Sequence, residues 1–82
     1  MDRNIQICRL PEVLQRTGYR RSTLYARIRA GEFPRPIALG VRAVGWPSSE
    51  VEAVLAARIA GKGASEICEL VRKLEAARLG AV

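Results

Sequence analysis

Glycine and proline cut this chain into pieces too short for anything but small helices and one hairpin. Gly18, Gly31, Gly61 and Gly80 each follow a run of helical periodicity, where a left-handed residue commonly closes a helix. Between Gly31 and Gly61 lie Pro34, Pro36, Gly40, Gly45 and Pro47, and the prolines forbid helix continuation. The spacing predicts two short helices, a non-helical middle, and two more helices. Eighty-two residues divided this way make one small domain, burying about 60–65% of its unfolded surface. That suffices for a three- or four-helix core but not for a deep, walled pocket. Histidine is absent, which removes His-based acid–base catalysis, Ser-His and Cys-His pairs and most zinc sites. With no paired-carboxylate constellation or metal spacing either, the chain reads as no enzyme, with no cofactor and no metal.

The first helix is read over residues 11–17. Pro11 suits its first position, Glu12 its positive end, and Leu10, Val13 and Leu14 its buried stripe. Gly18 and Tyr19 turn the chain into a second helix over residues 21–30. Its apolar residues are a single pair, Leu24 and Ile28, which leaves most of its circumference free of the core. Two short helices joined by a tight glycine turn form the helix-turn-helix pattern. With Leu24 and Ile28 facing in, Ser22, Ala26 and Arg29 face out, flanked by Thr23 and Tyr25, while Arg20 and Arg21 stand at the N-terminal end. That face is small or hydrogen-bonding at its middle, basic at its borders and free of acid up to Glu32. Insertion into a major groove requires those properties.

After Pro34-Arg35-Pro36 the apolar residues become close-set and β-branched, which predicts a hairpin with strands near residues 37–39 and 43–46. Its tip is Gly40-Val41-Arg42, and Arg42 is the only charge in residues 36–49. A lone tip cation suits a narrow minor groove or a phosphate; the plainer reading is a solubilising charge. Tyr19, Phe33 and Trp46 are expected to anchor the core, and Tyr25 borders the basic face, its hydroxyl within reach of a phosphate.

Ser49 and Glu52 have the spacing of a capping box for a third helix. Val51, Val54, Leu55 and Ile59 form its stripe and Gly61 its end. Lys62-Gly63-Ala64 reads as a hinge; Gly61-Lys62-Gly63 lacks the remainder of a phosphate-binding loop. From Ser65 onward, Ile67, Leu70, Val71 and Leu74 make an amphipathic helix of about four turns, too short for an autonomous coiled coil. It reads either as a fourth helix folded over the core, or as a self-association or docking helix.

The fourteen Lys and Arg exceed the eight Asp and Glu by +6, and twelve of the fourteen are Arg. The first 42 residues hold nine Arg against three acids, and the rest five cations against five acids, so the whole excess lies in the first half. A polyanionic partner that meets the N-terminal half is implied. Cys8 and Cys68 read as two reduced thiols rather than a disulfide. No apolar segment follows Met1 and no 18-residue apolar run occurs, so the protein is expected to be cytoplasmic, with no membrane span.

Arg9-Leu10-Pro11-Glu12-Val13, Thr17-Gly18-Tyr19-Arg20-Arg21-Ser22-Thr23-Leu24-Tyr25, Gly31-Glu32-Phe33-Pro34-Arg35-Pro36, Gly40 to Trp46 and Ser49-Glu50-Val51 together resemble the AlpA-type prophage regulators. These are small winged helix-turn-helix proteins related to excisionases and to the DNA-binding domain of MerR regulators. The resemblance covers roughly residues 8–60. It implies a mainly α fold with a small β-hairpin, a winged helix-turn-helix DNA-binding domain over residues 1–61, and a C-terminal amphipathic helical extension over 62–82. The implied function is sequence-specific binding of double-stranded DNA by a mobile-element protein, as transcriptional regulator, excisionase (recombination directionality factor) or both. The implied DNA-binding residues are Arg20, Arg21, Ser22, Thr23, Tyr25, Ala26 and Arg29 in the major groove, with Arg42 on the wing at the minor groove or backbone. Self-association on DNA and contact with an integrase or RNA polymerase are the protein partnerships such a role admits. Two departures stand out. Arg20 replaces the family's usual capping Ser, a loss worth about 1 kcal/mol that Ser22 or water is expected to offset in part. Tyr19 replaces a smaller aliphatic. The alternative function is an antiterminator-like interaction module working mainly through the C-terminal helix.

Overall fold

A computed structural model describes residues 5–80. Its elements run β1 (Ile7–Arg9), α1 (Leu10–Thr17), α2 (Arg21–Arg29), β2 (Ile37–Ala38), β3 (Val44–Pro47), α3 (Ser48–Ile59) and α4 (Ala64–Gly80). The architecture is mainly helical, with a small antiparallel sheet ordered β1-β3-β2. β3 is central: Cys8 faces Trp46 and Arg9 faces Gly45 on one side, while Ile37 faces Gly45 on the other.

The β2–β3 hairpin is present, with a shorter first strand and a second strand carried on to Pro47. Leu39 N–H donates to the Ala43 carbonyl at 2.7 Å to close its loop. β1 was not anticipated from sequence. Three residues with one buried position are too few to display an alternating pattern, and the strand passes directly into α1. Its presence explains Gly45. A side chain there would collide with Ile7 and lie 3.2 Å from the Cys8 carbonyl, so the central strand is bare where the outer one crosses it.

α1 closes at Gly18, whose φ of 75° is left-handed and whose N–H donates to the Leu14 carbonyl at 2.9 Å. Thr17 Oγ1 donates to the Val13 carbonyl (2.8 Å) and accepts from Tyr19 N–H (3.2 Å), which fixes the exit into α2. The core joins Cys8, Val13, Leu24, Phe33, Trp46, Val51 and Val54 to Ile67 and Val71 of α4. Phe33 meets Trp46 edge to face at 6.2 Å. The buried Trp46 Nε1–H donates to the Pro34 carbonyl at 2.8 Å, so the indole carries no unmet polar group into the core. Tyr19 is half-buried at the margin, less an anchor than Phe33 or Trp46.

Three local expectations are corrected. Ser49 does not cap α3: the helix starts at Ser48, follows directly from extended Pro47, and has no side-chain cap. Ser48 N–H instead donates to the Gln6 carbonyl at 2.8 Å, and its Oγ accepts from Arg16 at 3.2 Å. Ile59 is not part of the buried stripe. It is 86% exposed, because eight residues carry it about 80° round from Val51 at the end of the helix. Gly80 lies inside its helix rather than after it, as the last described residue of α4. Arg16 links several elements, donating to Cys8 Sγ at 3.2 Å and lying 3.5 Å from Glu52. The hydrogen bond to Cys8, with a smaller contribution from Glu52, pushes its guanidinium pKa further above the ordinary value.

α4 is built into the core. Ile67 and Val71 are buried, which is the folded-over arrangement of the two read from sequence. Glu50, in the first turn of α3, is 5% exposed, and Arg78 of α4 covers it with two hydrogen bonds of 2.9 and 2.6 Å. Arg78 also donates to the Arg35 carbonyl at 2.7 Å. Removing one partner of a buried pair leaves the other charge uncompensated. Arg78→Ala is therefore expected to cost about 3 kcal/mol, measured by urea unfolding, whereas Glu50→Gln paired with Arg78→Met should recover most of it. Equal stability of Arg78→Ala and the parent chain would contradict the clamp.

Candidate nucleic-acid interface

α2 presents its face as the spacing of its apolar residues dictates. Leu24 is fully buried and Ile28 packs beside it. Arg21, Ser22, Ala26 and Arg29 are exposed along one side, Thr23 and Tyr25 are half-buried at its borders, and Arg20 is exposed just before the first turn. The helix ladder begins with Leu24 N–H donating to the Arg20 carbonyl at 2.9 Å. No side chain caps the helix, so the expected compensation by Ser22 is not present. Preceding N–H groups of the first turn are left without an intrahelical acceptor, and no acid stands in that turn. Arg42 is exposed at the hairpin tip, next to the fully exposed Val41. It stands on a separate element from the seven positions at α2.

The arginines divide into two classes that sequence alone does not distinguish. Arg16, Arg27, Arg35, Arg58 and Arg78 each pair with a carboxylate, and Arg9 donates to the Val44 carbonyl at 3.1 Å. Arg20, Arg21, Arg29 and Arg42 have no ion pair among the described residues. Every arginine singled out from the sequence falls in the unpaired class. Arg27 alone among the arginines of α2 is bound internally. It reaches Glu32 Oε1 at 3.2 Å and lies over the Tyr19 ring at 5.9 Å.

Glu32 is the positioning residue that the sequence reading passed over. Its Oε1 accepts from Arg27 of α2 and, at 2.8 Å, from Arg58 of α3. One carboxylate oxygen thus ties the far ends of two helices and fixes how α2 stands on the core. The buried Nε atoms of Arg27 and Arg58 have no partner of their own among the described residues, which makes both guanidinium groups depend on that oxygen. The only sequence signal is an acid five residues after Arg27, in a turn where most acids would simply be solvated.

Residues 6–59 match the family model described as Prophage CP4-57 regulatory protein (AlpA), well over half of the chain. The chain belongs to the AlpA family. It is 52% identical over 54 residues to an uncharacterized protein, ORF88, of Enterobacteria phage P4, an alignment covering 66% of this chain and 61% of that protein. It is 37% identical over 60 residues to the DNA-binding transcriptional activator AlpA of Escherichia coli K12, covering 66% of this chain and 86% of the relative. The AlpA match takes in α1, α2, the sheet and α3, and stops short of α4. No helix among the described residues is long and apolar enough to cross a membrane.

If Glu32 sets the pose of α2, Glu32→Ala should lower stability by about 1–2 kcal/mol, the partly exposed arginines limiting the cost. Amide exchange should quicken most near residues 27–32 and 56–60. A loss of protection spread evenly over the chain would mean that Glu32 is only one more surface ion pair.

Proposed function

We propose that this AlpA-family chain is a sequence-specific regulator that binds double-stranded DNA through a winged helix-turn-helix, with α2 in the major groove and the β2–β3 tip at the adjacent minor groove or backbone. The observation that carries the reading is the acid-free outward face of α2, bordered by arginines left without intramolecular partners. Arg29 reads a base edge, guanine being the natural partner of its planar fork. Ser22, Thr23 and Ala26 fit the groove floor without clash. Arg20 and Arg21, with the uncapped N–H groups behind them, hold a phosphate. Tyr25 donates its hydroxyl to the backbone, and Arg42 enters the narrow groove. The relative named as a DNA-binding transcriptional activator supports duplex DNA as the partner.

A module of this size buries about 600–1,000 Å² on DNA. Release of about five counterions gives a salt slope near −4.5 and a roughly 500-fold loss of affinity from 50 to 200 mM. Adequate specificity at that footprint comes from copies on adjacent sites, or from an integrase or RNA polymerase bound nearby. Arrayed copies also bend the duplex, so promoter control and excision arise from one activity. The interaction-module reading is weakened by α4, whose apolar residues Ile67 and Val71 are spent inside the core. Deleting residues 62–82 would therefore disturb the fold as well as any docking.

Selection of tight binders from a random duplex pool tests the proposal. It predicts a short motif recurring as spaced direct repeats. Arg29→Ala should lose about 1–3 kcal/mol and relax the preference at one base pair. Unchanged affinity and preference in Arg29→Ala would remove α2 as the reading element.

A further inference from the structure

A shallow cleft of about 310 Å³ opens where α2 ends against α4, and Arg29, Arg35 and Arg72 converge on it from three parts of the chain. Cys68 lies inside it, Sγ 3.6 Å from the Ala30 carbonyl and against the turn at Gly31. The acid in the cleft, Glu75, is already engaged, accepting from Arg35 N–H at 2.8 Å and pairing with its guanidinium at 3.3 Å. Arg29 and Arg72 are exposed and have no ion pair among the described residues. With Arg29 turned to the groove, the uncompensated guanidinium of Arg72, in a concave site beside the outward face of α2, makes a seat for a singly charged phosphodiester, whose oxygens suit its planar fork.

We infer that this cleft seats a DNA backbone phosphate on Arg72, next to the base edge that Arg29 reads, so that α4, beyond the segment matched to the family, extends the DNA footprint. The inference rests on the proposed duplex binding through α2. Arg35, tied back by Glu75, adds positive field at the rim. The role of α4 is then twofold: its apolar side completes the core, and its cleft-facing arginine adds a contact that tightens binding without reading sequence.

Cys68 supplies an internal probe, because the other thiol, Cys8, is 1% exposed. Alkylation of Cys68 in the full-length chain would be followed by mass spectrometry, free and with a saturating duplex recovered from the selection. A parallel arm would use inorganic phosphate at equal ionic strength. The duplex is expected to abolish most of the reaction at Cys68 and inorganic phosphate to leave it unchanged. Arg72→Ala should reduce the salt slope of duplex binding by about 0.9 on every sequence tested, and Arg72→Lys should restore it. An unchanged slope in Arg72→Ala, or Cys68 reacting as fast on the duplex as off it, would overturn the inference while leaving binding through α2 intact. Equal protection by inorganic phosphate would overturn it in favour of a free-anion site. Failure of the parent chain to bind any duplex at low salt would remove both readings together.

Discussion

The burial of Trp46 organises this small molecule. Its strand is the central one of the three described strands, its ring meets Phe33 at the end of the turn that follows α2, and its N–H closes onto Pro34. One aromatic side chain therefore joins the sheet to the loop leaving α2. A chain of this length has few large side chains with which to exclude water, and the largest fully buried ones are Trp46, Phe33, Leu24 and Ile67. They come from β3, the loop after α2, α2 itself and α4. Because the core is that sparse, α4 belongs to it although the family match ends before α4 begins.

Carboxylates decide which arginines are free. Glu32, Glu50, Glu52 and Glu75 are committed to Arg27, Arg58, Arg78, Arg16 and Arg35. These ties join α2 to α3, α3 to α4, α1 to α3 and the segment after Pro34 to α4. Among the described residues, the arginines left without a carboxylate lie on and just before α2, at the hairpin tip, on α4 and at Arg9 of β1. A positive field confined to those places steers a polyanion towards them, and the ties hold α2 in a fixed pose. Rigid support matters because side-chain readout in a groove tolerates little displacement.

Much of this was legible in the sequence. The glycine after each of the first three helices and the prolines in the middle set the element order, and the lone Leu24–Ile28 pair identified the outward side of α2. What escaped notice has a physical pattern. β1 is too short for its alternation to register, and its partner residues lie 36 to 40 positions along the chain. The capping-box motif at Ser49 was real as spacing but lost to the direct passage of β3 into α3. Glu50 looks like any helix-start acid until Arg78, 28 residues on, covers it. Local rules found the helices and the exposed face; the long-range ion pairs that sort the arginines leave almost no mark on the sequence.

The central claim is that DNA meets the unpaired arginines and not the paired ones. Backbone amide chemical shifts of the ¹⁵N-labelled chain, titrated with a selected duplex, test it most directly. The account predicts that the largest changes fall at residues 20–29, at 40–42 and around 68–72, while 50–55 and the sheet interior barely move. Changes centred instead on the exposed side of α3, with α2 unaffected, would contradict it.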